Sequence, residues 1–140
     1  MIRHHLIHSS TRSWESLFAE ACKRASKLGP ARLVALSHGA DSNAGTVTLW
    51  SREAPEGPRR WMRSWFVRSS MRSWDSLFDE VAAFASRLEE GQLFGITHSA
   101  DSNEGVITVW YWVDEAPKQR KRARGRVSIA PTPGGALSEP

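Results

Sequence analysis

The stretch Ser9-Ser10-Thr11-Arg12-Ser13-Trp14-Glu15-Ser16-Leu17-Phe18-Ala19-Glu20 returns as Ser69-Ser70-Met71-Arg72-Ser73-Trp74-Asp75-Ser76-Leu77-Phe78-Asp79-Glu80. Working outward at the same offset, His38, Ala40, Asp41, Ser42, Asn43 and Gly45 recur as His98, Ala100, Asp101, Ser102, Asn103 and Gly105. Thr48 and Trp50 recur as Thr108 and Trp110. No gap is needed, so the chain is a tandem internal duplication.

Each copy carries the same local signals. Trp14, Leu17, Phe18, Ala21, Ala25 and Leu28 share one helical stripe, as do Trp74, Leu77, Phe78, Val81, Ala85 and Leu88. Ser13 and Ser73 are suited to N-capping, because a hydroxyl there accepts from the first unpaired N–H groups. Glu15 and Asp75 oppose the helix dipole. Gly29 and Gly91 mark the exits. Strands are predicted over 3–8, 32–38 and 46–50, and over 61–68, 92–98 and 106–113. Asp, Ser, Asn and Gly in 39–45 and 99–105 read as hairpin loops, with Gly45 and Gly105 expected at positive φ.

These signals define the α+β class: a tandem β-α-β-β unit. Residues 1–53 form the first repeat, 54–60 a linker, and 61–115 the second repeat. Three strands and one helix bury too little to stand alone, so the copies are expected to share a core. The expected form is a six-stranded, mainly antiparallel sheet with both helices on one face and a pseudo-two-fold axis. Residues 116–140, basic and then Pro/Gly-rich, read as a disordered tail.

Composition narrows the function classes. The single cysteine, Cys22, excludes an internal disulfide and reads as a small buried thiol. No signal peptide and no membrane span is expected, so the sequence suggests a cytoplasmic protein without a membrane partner. The net charge of +4 is concentrated in the tail, where Lys118, Arg120, Lys121, Arg122, Arg124 and Arg126 fall within nine residues. Such a run attracts phosphate backbones without specifying a sequence.

Seven Trp residues are unusual in a chain this short, and Trp is enriched where a partner covers a surface. Trp50, Trp110 and Trp112 alternate with apolar residues suited to the helix side, and are expected on the reverse of the sheet. Arg3, His5, Arg63 and Trp65 are expected to join them there. Indoles interleaved with guanidinium groups suit single-stranded nucleic acid. The same face also suits burial by a second chain. The repeated His-x-x-Asp-Ser-Asn loops supply His38, Asp41, Asn43, His98, Asp101 and Asn103, which form turns or hold a small ligand, with Asp able to orient His as a base. No metal site or cofactor is expected, because His4 and His8 give way to Ser64 and Arg68 in the second copy. The Ser-Ser-x-Arg-Ser element reads as a helix entry or an anion-binding N-terminus.

Three functional readings follow. The first is a non-enzymatic nucleic-acid-binding protein using the aromatic and basic face plus the tail. The second is a homo-oligomeric structural or interaction protein using the Trp-rich face. The third is a small-molecule binder or enzyme built on the His/Asp loops.

Overall fold

The computed structural model describes residues 1–40, 44–69, 71–100 and 104–118. The elements run β1 (Ile2–Ser9), α1 (Trp14–Leu28), β2 (Leu33–Ala40), β3 (Gly45–Arg52), β4 (Trp61–Ser69), α2 (Trp74–Ser86), β5 (Leu93–Ala100) and β6 (Gly105–Val113). The class and the tandem β-α-β-β order are those the sequence indicates.

Both helices start by the same device. The Ser13 and Ser73 hydroxyls accept from the backbone N–H of Ser16 and Ser76, each at 3.1 Å. Arg12 folds back over the first turns to the Ser16 hydroxyl and carbonyl and to Glu20. Arg72 repeats this on Ser76 and on Glu80 at 2.6 Å. The recurrence of Arg-Ser therefore has a structural cause: one residue caps the helix and the other clamps it, and the guanidinium groups are already engaged. Gly29 closes α1 at φ 79°, donating to the Ala25 carbonyl at 2.9 Å.

Gly45 and Gly105 correct the sequence reading. The glycines with positive φ among the described residues are Gly29 and Gly91. Gly45 is needed for close approach instead: an added Cβ would meet Leu17 at 3.0 Å and Trp14 at 3.3 Å. A Cβ on Gly105 would overlap the Trp74 ring. Each indole roofs the start of its own central strand.

The strands form two three-stranded antiparallel sheets, β1-β3-β2 and β4-β6-β5, rather than one six-stranded ladder. Each carries a bulge at the matching place, Leu33/Ala35 and Leu93/Gly95. The edge strands β2 and β5 lie side by side, joined by His38 Nδ1 and the Ser99 hydroxyl at 2.8 Å.

Nor do both helices share one face. α1 is enclosed between the two sheets. Its Phe18 meets His38 of its own sheet, and Phe66 and Trp110 of the other, at 5.1–5.3 Å between ring centres. β4 runs along α1, its Met62 N–H donating to the Ser26 hydroxyl at 2.8 Å and its Arg68 facing Glu15 at 3.6 Å. α2 packs on the opposite side of the second sheet. There Leu77, Val81 and Phe84 meet Val67, Ile107, Val109 and Tyr111. The second sheet is therefore covered on both faces.

A two-fold axis would give the two helices matching surroundings. Phe18 is 1% exposed, whereas its counterpart Phe78 is 41% exposed. The copies are thus related head to tail: the back of the second sheet covers the helix of the first copy, and nothing in the described chain covers the helix of the second in that way.

Candidate functional site

The ladder register decides which Trp residues can meet a ligand. Trp50 pairs with His4, and Arg3 pairs with Ser51. In the second sheet Trp110 pairs with Ser64, and Trp65 with Val109. Arg3, His5, Arg63 and Trp65 therefore point to the helix side, and the face expected from sequence is not assembled. Trp65 stacks on Phe84 of α2, with ring centres 4.2 Å apart and planes at 3°.

The reverse face differs between the copies. Trp110 is fully buried against α1 and donates its indole N–H to the Thr97 hydroxyl at 2.9 Å. Trp112 is buried beside Phe94. Trp50, the counterpart of Trp110, is 40% exposed, tilted against His4 at 5.8 Å. Ile2 and Leu6 are exposed on the same face. Their counterparts Met62 and Phe66 are packed into the shared core.

A second uncovered surface lies between α2 and β5. Trp74 and Phe78 stack at 5.6 Å, and both rings touch His98 within 5.9 Å. Leu93 and Ile96 are 47% and 45% exposed, against 5% and 7% for Leu33 and Leu36 in the first copy. So the groove between α2 and β5 exposes Trp74, Phe78, Leu93 and Ile96, and the reverse of the first sheet exposes Ile2, Leu6 and Trp50 among polar neighbours.

The candidate loops give a partial picture. His38 faces the core, against Trp14 at 5.5 Å as well as Phe18. Burial, helped by nearby His98, pushes it down from 6.5 to about 4. At neutral pH it is an uncharged core imidazole. His98 is exposed. Asp41, Asn43, Asp101 and Asn103 lie outside the described residues, as do Arg120, Lys121, Arg122, Arg124 and Arg126; Lys118 is described and exposed. Cys22 is half-buried in the shared core, and desolvation raises its thiol to about 12, so it stays protonated.

Among the described residues no group of three or more His, Cys, Asp or Glu could hold a metal ion. No described helix is long and apolar enough to cross a membrane. A cleft of about 300 Å3 opens beside Arg3, His5, Arg32, Ser51 and Arg52. His5 and Ser51 in its lining stand where the second copy has Trp65 and Tyr111. Arg3 is paired with Glu53 at 3.1 Å, and Arg32 donates to the Ala54 carbonyl at 2.8 Å.

No protein-family model, curated protein or solved structure matches the chain.

Sequence reasoning placed Phe78 in a core stripe and missed the groove. The signal available was the divergence of the helix exteriors. Phe84 stands where the first copy has Arg24, which pairs with Glu20 at 2.7 Å on the surface. With Leu77 and Val81, Phe84 gives α2 a buried stripe rotated away from Trp74 and Phe78.

Proposed function

We propose that the protein is a non-enzymatic interaction protein that assembles with copies of itself through its uncovered apolar surfaces. The observation carrying this reading is the exposure of Trp74 and Phe78 on α2, stacked beside His98, together with Leu93 and Ile96 on β5. Clustered large apolar side chains on a folded surface mark interaction sites, because water contact with them is unfavourable and a partner relieves it. Light scattering across a dilution series tests the reading. A mass that rises with concentration is expected, and a monomer throughout would contradict it.

The nucleic-acid reading keeps Trp50 as its exposed indole, with Lys118 as a described cation. It loses Trp110 and Trp112 as stacking platforms, since a base cannot stack on a ring already enclosed by protein. Its test is a titration with a single-stranded oligonucleotide at two salt concentrations. Affinity that collapses with salt and ignores Trp50→Ala would belong to the basic tail alone.

A further inference from the structure

We propose that the Trp50 face of one molecule docks into the α2/β5 groove of a second copy of this chain, head to tail. The proposal deepens the self-assembly reading and rests on it.

The chain already contains one example of this contact. Within the molecule, the reverse of the second sheet covers α1 and the inner side of β2. The receiving surface there is Phe18, Leu33 and Leu36, and the covering surface includes Met62, Phe66 and Trp110. The counterparts of the receiving residues are Phe78, Leu93 and Ile96, all exposed. The counterparts of the covering residues are Ile2, Leu6 and Trp50, also all exposed. Two halves of one homologous interface are thus presented by each molecule, on different copies, and each keeps three exposed apolar side chains at the matching positions.

The polar fastenings of the internal contact also have counterparts. Arg68 faces Glu15 across it, and the polar pair His8 and Asp75 occupies the matching positions. Ser26 accepts from the Met62 N–H; their sequence counterparts, Ser86 and Ile2, are both exposed. The outer contact is the weaker one. Arg52 replaces Trp112 and Thr46 replaces Val106 on the covering face, so less apolar area is removed from water. A reversible, concentration-dependent association follows. Because the two surfaces differ, the contact is heterologous and propagates into a ring or an open chain rather than stopping at a symmetric dimer.

The test uses two full-length variants, Trp50→Asp, which disables the face, and Phe78→Asp, which disables the groove. Each is examined by sedimentation velocity alone and after mixing. Both substitutions fall on exposed positions; far-UV circular dichroism checks the fold, and Leu6→Asp with Ile96→Asp provides a second pair. Each variant alone is expected to be monomeric. Their equimolar mixture is expected to double in mass and go no further, since one intact face meets one intact groove. Loss of assembly in Trp50→Asp only, or in Phe78→Asp only, would mean a symmetric contact and overturn the head-to-tail inference while leaving self-assembly standing. A mixture that stays monomeric would overturn it as well. A wild-type protein that is monomeric at every concentration would overturn both.

Discussion

Phe18 and Phe78 occupy the same place in two copies of one unit, yet the first is enclosed and the second is open to water. The residues leading into them are nearly the same, Arg-Ser-Trp-x-Ser-Leu-Phe in both copies, so the helix entry does not cause the difference. What differs is the neighbour: α1 has a second sheet laid over it and α2 does not. Trp110 and Trp50 show the same inversion from the other side of the contact. A duplicated unit packed head to tail necessarily leaves one receiving surface and one covering surface unused. A two-fold pairing would have used both.

The largest expected effect tests that inequality directly. Phe18→Ala removes a buried ring that touches Trp14, His38, Phe66 and Trp110, and should cost about 3–5 kcal/mol. Phe78→Ala, measured in dilute solution, should cost under about 1 kcal/mol, because much of that ring is already solvated. Equal losses in urea denaturation would break the comparison.

The second effect is pH dependence. The unfolded chain takes up a proton on His38 near pH 6.5, and the folded chain resists until about pH 4. The unfolded state therefore binds more protons in that window, so stability falls as pH drops through it, by up to about 3 kcal/mol. His38→Asn should flatten this part of the acid-denaturation curve. A curve unchanged by His38→Asn would mean that the imidazole is accessible.

A smaller effect separates the two serines. The Ser26 hydroxyl donates to the Cys22 carbonyl at 2.7 Å and accepts from Met62 at 2.8 Å, so Ser26→Ala leaves a buried N–H without its partner. A cost of about 1–3 kcal/mol is expected. Ser86→Ala, on the exposed counterpart, should lie within about 0.5 kcal/mol of wild type when the protein is dilute. Thermal melts of the pair, run side by side, check both values.

These contrasts also mark how far the sequence could be read. The duplication, the helix stripes, the serine caps and the alternation of Val47 and Leu49 with Thr48 and Trp50 were legible, because each follows from local geometry. The side taken by the first strand was not. His4-His5 and Arg63-Ser64 are polar neighbours, so period-two alternation does not say which residue faces in; the ladder pairing of His4 with Trp50 decides it. The arrangement of the copies was not legible either, since homologous units carry the same apolar stripe whichever way they are stacked. The trace it left is in the divergent positions. Trp65, Phe84 and Tyr111 fill the α2 interface, where the first copy has His5, Arg24 and Ser51. The two histidines, His38 and His98, sit in unlike surroundings, one packed on Phe18 in the core and the other exposed.

Fluorine NMR of 5-fluorotryptophan-labelled protein probes the inequality at its source. Trp50→Phe and Trp110→Phe variants assign the two resonances, and the Phe78→Asp background keeps the Trp50 face free of a second copy. A soluble paramagnetic agent should broaden the Trp50 signal and leave the Trp110 signal sharp. Equal broadening of both would mean that the second sheet does not lie over α1, and the head-to-tail arrangement would be wrong.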